Sequence, residues 1–239
     1  MVKMCYTGLM KKTDSVLIIY EDEYLLAVSK PPRVASVPAE GVAEGRTMLG
    51  MVVEFCHERG DGYRPYLLHR IDMQTSGILV FGKNEQDREK LEGILTAKDT
   101  VKKYLTLVRG IPKGSVTKAK LKARMSDVKI SAETRYRVMR TYHVLRSAVS
   151  LMEAEIKTGR KHQIRQHFSE MHCPVVMDQV YGDQEFNKKF RTSFRLGRQF
   201  LHSALLEFTH PMSATRVRIM AKLPIDLENT LKRLEKVVK

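Results

Sequence analysis

The apolar residues of this chain fall in short runs, and this limits its fold more than any other feature. Val16–Tyr20 and Tyr24–Ser29 flank the turn-prone Glu21-Asp22-Glu23 and read as two strands or a hairpin. Pro31-Pro32 ends the second run, because proline has no N–H to give to a ladder. Leu67–Asp72, Gly77–Gly82, Tyr104–Val108, Ala132–Met139, Ser147–Ile156, Leu201–Thr209 and Val217–Ala221 are further runs of strand length. Helical spacing predicts helices between them. Thr47 caps one over Met48–His57, and Asn84 caps another reaching about Ala97. A third covers Gln163–Met171. The last is capped by Asp226 and carries Leu227, Leu231, Leu234 and Val238 on one face. Strands dominate the middle, without a regular alternation of strand and helix. That favours an α+β fold with a mixed, largely antiparallel sheet and flanking helices over a doubly wound parallel sheet.

With 239 residues and 43% of them hydrophobic, the chain can bury a core, so wholesale disorder is not expected. No apolar run reaches the ~18 residues of a membrane span. The N-terminal MVKMCYTGLMKKTDS has no long apolar stretch or small-residue cleavage site, which predicts an intracellular protein. Cys5, Cys56 and Cys173 are far apart and form no CxxC pair, so neither a disulfide framework nor a cysteine-rich zinc site is expected.

Partners are constrained by charge. Lys and Arg number 42 against 27 Asp and Glu, an excess of +15 spread along the whole chain. Nucleic acid is the first partner this implies, and an anionic membrane surface the second. Tryptophan is absent and only 7% of residues are aromatic. Phosphates held by charge are therefore expected over many stacked bases.

Several chemistries have no visible seat. There is no GxxxxGKS/T loop, no GxGxxG turn, no HExxH and no GxSxG elbow. His162, His167 and His172 recur every five residues, a step that cannot keep three side chains on one helix face. They read as histidines facing solvent or RNA, with no metal and no cofactor expected. What remains is chemistry carried by carboxylates, arginines and tyrosines.

Two clusters carry such groups. His69-Arg70-Ile71-Asp72 is followed by Gln74-Thr75-Ser76-Gly77, placing two opposite charges near the end of an apolar strand. Thr158-Gly159-Arg160-Lys161-His162-Gln163-Ile164-Arg165 suits a loop entering a helix, whose first N–H groups attract phosphate. Arg165 sits at the margin of the apolar stripe, where it can reach inward to a carboxylate. Each cluster also has a plain structural reading, as a surface ion pair and a solvated helix end.

Together these residues resemble a known family. His69–Gly77 is similar to the HRLDxxTSG signature of the RluA family of RNA pseudouridine synthases. Tyr20–Glu23 with Lys30-Pro31 resembles that family's YEDE…KP opening, and Lys103–Gly110 its KxYxxxVxG segment. Thr158–Arg165 resembles TGRTHQIR. Leu201-His202 and Phe208–Pro211 resemble the late LHA…FxHP. Met73-Gln74, Lys161, Ser203 and Ser213-Ala214-Thr215 depart from the commoner choices. Longer members carry an N-terminal S4-type domain, which is not expected here with about 15 residues before the first motif. The chain divides into an N-terminal extension (1–15), a catalytic domain with a central cleft (16–225) and a C-terminal helix packed on it (226–239). The stretch Asp178–Leu201 looks most like the branch acting on large-subunit ribosomal RNA, while TGRKHQ also occurs in the tRNA branch.

The resemblance implies that a uridine already within RNA is isomerised. The C1′–N1 bond breaks, the uracil turns, and C1′ joins C5, with nothing oxidised, reduced or added. By match to the motif, Asp72 is the essential carboxylate. Attack at C1′, attack at C6 and removal of the 2′ proton are three routes open to it. Arg165 is expected to pair with Asp72, favouring its ionised form. Tyr104 is expected against the uracil ring, its alternative being a tyrosine of the strand core. His69, Arg70 and Thr75 would meet the everted uridine, and Arg160, Lys161 and His162 its phosphates. RNA is then the partner of a cytoplasmic, monomeric enzyme. An idle RNA-binding or ribosome-assembly factor is the alternative.

Overall fold

The computed structural model describes residues 16–38, 41–122 and 129–237. The strands are β1 (Ile18–Glu21), β2 (Leu25–Lys30), β3 (Tyr66–Leu67), β4 (Ser76–Gly82), β5 (Val101–Arg109), β6 (Val116–Lys122), β7 (Lys129–Val144), β8 (Ser147–Ile156), β9 (Leu201–Thr209) and β10 (Arg216–Met220). The helices are α1 (Met48–Arg59), α2 (Arg88–Glu92), α3 (Gln163–Glu170), α4 (Gln184–Phe194) and α5 (Ile225–Val237). These α and β elements form two compact units. The first takes the described chain up to Val101 with Ser203–Lys222, the second Lys102–His202 with the segment from Leu223.

In the first unit β1, β2, β4 and β9 are neighbours in that order, with β3 on β4 and β10 on β9. The β1–β2, β2–β4, β3–β4 and β9–β10 pairs are antiparallel. Side chains alternate across a strand, and here both faces are covered. Leu26, Val28, Leu79 and Phe81 meet Met48, Val52 and Cys56 of α1. Leu25, Ala27, Ile78 and Val80 meet Leu91, Ile94, Leu206, Phe208 and Ile219. Phe81 is fully buried, so cutting it to alanine costs ~3–5 kcal/mol. The expected cap of α1 is present: Thr47 Oγ1 accepts from Gly50 N–H at 3.1 Å. Gly60, at φ 82°, ends the helix in the left-handed region. Asp22 closes the β1–β2 turn by accepting from the Tyr24 and Leu25 amides. His210 Nε2 lies 3.3 Å from the same carboxylate, which joins the sequence's first and last motifs.

The second unit runs β5-β8-β7-β6, each neighbouring pair antiparallel. Tyr104, Val108, Met152, Ala154 and Ile156 pack with Ile164 and Phe168 of α3. Leu107, Tyr142 and Val149 pack with Phe186, Phe190 and Phe194 of α4 and with Leu227 and Leu234 of α5.

Five expectations need correction. The strand read over Leu67–Asp72 stops at Leu67; the Leu68 amide still donates to the Val80 carbonyl at 3.0 Å, and the chain then leaves β4 as a loop to Thr75. The long helix after Asn84 breaks into a 3-10 turn, the five-residue α2 and another 3-10 turn starting at Gly93. The Asn84 side chain makes no cap bond, and Gly93 weakens the helix interior. Asp226 is the second residue of α5, where its carboxylate accepts from Arg198 Nε at 2.7 Å. His167 is fully buried, not facing solvent or RNA. Finally, α4 and β6 had no counterpart. Phe186, Phe190 and Phe194 at i, i+4 and i+8, after Asp183 as N-cap, were the missed signal for α4. The N-terminal extension with Cys5, and Val238, lie outside the described residues. Among those residues no helix is long and apolar enough to cross a membrane.

Candidate active site

In the first unit the groups of interest lie on the loop from β3 to β4. Asp72 is half-buried and opens a turn in which its carbonyl accepts from Thr75 N–H at 2.9 Å. Asp is favoured at this first turn position. Its two neighbours are fastened from the segment after β2. Ser36 Oγ donates to the Ile71 carbonyl at 2.8 Å and accepts from the Ile71 amide at 3.2 Å. The Arg33 amide donates to the Met73 carbonyl at 2.8 Å. Lys30 is fully buried. Its Nζ donates to the carbonyls of Pro31 and Val34 at 2.8 Å and of Met73 at 3.2 Å. A buried ammonium is costly unless its protons are met by acceptors. Three carbonyls do so here, and the result ties the Asp72 loop to the end of β2. Ile71, 7% exposed, adds an apolar anchor in the α1 cluster.

The flanking motif residues divide by role. Arg70 is exposed and Thr75 buried. His69 Nε2 accepts from the Val80 amide at 3.2 Å, so that nitrogen is engaged with β4. Gly77, at φ 111°, has a second reason to be glycine. A Cβ there would come within 2.1 Å of the Ser203 carbonyl oxygen on β9.

In the second unit Tyr104 stands on β5 opposite Ala154. It is 9% exposed and belongs to the apolar cluster under α3. Two residues earlier, burial and, to a lesser degree, the Lys157 charge hold the Lys102 ammonium down to about 8. A phosphate beside this pair would offset both effects.

The loop Thr158–His162 is organised by Gln163, the first residue of α3. Gln163 Oε1 accepts from Thr158 Oγ1 at 2.7 Å and from the Arg160 amide at 3.1 Å. Its Nε2 donates to the Glu133 carbonyl at 3.0 Å and to Thr134 Oγ1 at 3.3 Å. One amide thus joins the loop to β7. Lys161 is exposed, Arg160 and His162 half-buried. His162 holds a left-handed backbone at φ 54°, and its Nδ1 lies 3.2 Å from Tyr181 Oη. His167 Nδ1 meets Thr134 Oγ1 at 2.8 Å, and burial pushes its pKa down, favouring the neutral ring.

Arg165 reaches inward, as its place on α3 foretold, and meets a carboxylate to which the sequence assigned no role. Its Nε donates to Asp178 Oδ2 at 2.6 Å and its Nη2 to Oδ1 at 2.9 Å. Burial alone would raise the Asp178 pKa. The Arg165 hydrogen bonds and charge, with the Tyr181 and Val180 amides, outweigh it and hold it below the ordinary value. Among the described residues no three His, Cys, Asp or Glu side chains gather to hold a metal ion.

Comparison with known proteins gives this arrangement a context. Residues 24–170 match the family model for RNA pseudouridylate synthase. An uncharacterized RNA pseudouridine synthase of Mycobacterium bovis is 33% identical over 230 residues, 92% of this chain and 73% of that protein. Ribosomal large subunit pseudouridine synthase C of Escherichia coli K12 is 32% identical over 235 residues, 91% of this chain and 70% of that protein. Among solved structures, human RNA pseudouridylate synthase domain containing 4 superposes with a TM-score of 0.72. Its identity is 20%, and the match covers 92% of this chain and 93% of that one.

Proposed function

Because the chain belongs to the RNA pseudouridylate synthase family, we propose that it converts uridine to pseudouridine in large-subunit ribosomal RNA, with Asp72 as the essential carboxylate. The chain is an RNA-acting isomerase by family, and its α+β fold agrees. The target is drawn from relatives named as large-subunit synthases. The observation that carries the choice of Asp72 is the fastening of its loop. Ile71 and Met73 on either side of it are held by Ser36, Lys30 and the Arg33 amide. A carboxylate that must meet one carbon atom needs such bracing.

The isomerisation is balanced within the substrate. C1′ exchanges its bond to N1 for one to C5, the C5 proton leaves for solvent, and N1 takes up one proton in its place. Asp72 acts at the sugar or the base along one of the three routes open to a carboxylate. Arg165 supplies positive charge to the negative groups handled in the reaction. Tyr104 offers an aromatic face to the uracil. Arg70, His69 and Thr75 serve the everted nucleotide, and Arg160, Lys161 and His162 hold phosphates. The net charge of +15 supplies the long-range attraction. No external oxidant or cofactor enters this reaction scheme. A monomer in the cytoplasm is part of the same reading.

The test is to incubate the protein with transcripts of large-subunit ribosomal RNA and of tRNA and to map pseudouridine by carbodiimide modification and primer extension. New stops in the ribosomal transcript alone are expected. Stops in tRNA alone would replace the target. Stops in neither, with the RNA bound, would favour an idle binding factor.

A further inference from the structure

Asp178 lies between α3 and α4, is fully buried, and is tied at every polar atom of its side chain. Besides the two bonds from Arg165, its Oδ1 accepts from the Val180 amide at 2.8 Å and the Tyr181 amide at 3.0 Å. Its main-chain carbonyl accepts from Asn187 Nδ2 at 2.9 Å, and Asn187 Oδ1 accepts from the Met177 amide at 2.8 Å. The carboxylate is therefore fixed by its own turn and by α4. Tyr181, in the same turn, places its ring 5.3 Å from the Arg165 guanidinium carbon and its hydroxyl 3.2 Å from His162 Nδ1.

Two parallel bonds along the Nε and Nη2 edge determine the plane of a guanidinium. Because the group is planar and rigid, they also determine where Nη1 points. A buried ion pair is weak evidence of stabilisation, since apolar side chains of similar volume often serve as well. What such a pair does supply is orientation.

Resting on the role proposed above for Arg165, we infer that Asp178 is a positioning residue. It grips one edge of the Arg165 guanidinium so that the Nη1 side is presented, already oriented, to the negative charge that the reaction handles. The turn Asp178–Tyr181 carries that orientation to His162 as well. Without the grip, the long side chain of Arg165 would sample several rotamers, and each turnover would wait on the productive one.

The test uses the full chain and a fragment of large-subunit ribosomal RNA with C5-tritiated uridine. Asp178→Asn keeps an oxygen for the Val180 and Tyr181 amides and loses the charge and one acceptor that Arg165 uses. The folded variant is expected to lose about 10–100-fold in kcat with KM changed less than about threefold. Arg165→Lys, which has no planar edge to grip, is expected to lose at least as much. The double variant is expected to lose no more than Arg165→Lys alone, because the two residues act as one unit. A folded Asp178→Asn with wild-type kcat overturns the proposal, as does a double variant whose loss is the product of the two single losses. Should Asp178→Asn fail to fold, Asp178→Glu keeps the charge while displacing it. A kcat lowered at unchanged melting temperature then supports the proposal, and an unchanged kcat overturns it. Full turnover by folded Arg165→Ala would instead sink the reading of Arg165 itself, whatever Asp178 does.

Discussion

The loop that carries Asp72 and the helix that carries Arg165 are held by opposite means. Ser36, Lys30 and the Arg33 amide grip the main chain on both sides of Asp72. Arg165 is gripped by its own guanidinium, through Asp178. The first arrangement fastens the main chain of Ile71 and Met73, so these bonds do not depend on which side chain occupies position 72. The second merges support with chemistry, since the side chain proposed to act is also a structural partner. Loss of activity therefore means different things at the two positions.

The largest expected effect tests that merger. Arg165→Ala leaves the buried Asp178 carboxylate without its counter-ion, and is expected to lower stability by ~3–5 kcal/mol in urea unfolding. A loss below ~1 kcal/mol would show that the pair does little for the fold. The same pair sets a pH dependence. The folded-state pKa of Asp178 is depressed. Its stabilisation is thus fully present above the unfolded value near ~3.9 and is lost as pH falls through the folded value. The gap in melting temperature between wild type and Asp178→Asn should stay level from neutral pH to about pH 5 and narrow only below about pH 4.

Next in size is the loop. Lys30→Met removes the donor shared by three carbonyls and is expected to cost ~1–3 kcal/mol, with kcat falling as the turn loosens. Unchanged kcat at reduced stability would show that the bracing does not serve Asp72. Gln163→Ala unties Thr158 and the Arg160 amide from β7 and is expected to cost ~1 kcal/mol in stability. RNA affinity, measured by filter binding, should fall about threefold to tenfold as the phosphate loop loosens. The smallest effect belongs to exposed Lys161. Lys161→Ala should weaken RNA binding at every sequence and lower the salt slope by about one, with kcat unchanged. A kcat loss there would move Lys161 from phosphate contact to chemistry.

Much of this architecture was legible in residue order. The β1–β2 hairpin, the Thr47 cap, the inward reach of Arg165 and the late strand pair all follow from local spacing and turn chemistry. What stayed hidden was non-local. Lys30 reads as an ordinary lysine before two prolines, and only the fold brings its ammonium to the Met73 carbonyl, 43 positions away. Asp178 lies 13 positions from Arg165, with no helical or strand period linking them. His167 looks polar in sequence because its burial depends on Thr134 across β7. Gly93 cut a helix that apolar spacing alone had extended.

The most direct measurement counts tritium released from C5-tritiated uridine in large-subunit ribosomal RNA by wild type and by Asp72→Asn, both shown to be folded by circular dichroism. Release stoichiometric with modified uridine in wild type, and none above background in Asp72→Asn, is the expected result. Equal release by the two proteins would contradict the assignment of the reaction to this carboxylate.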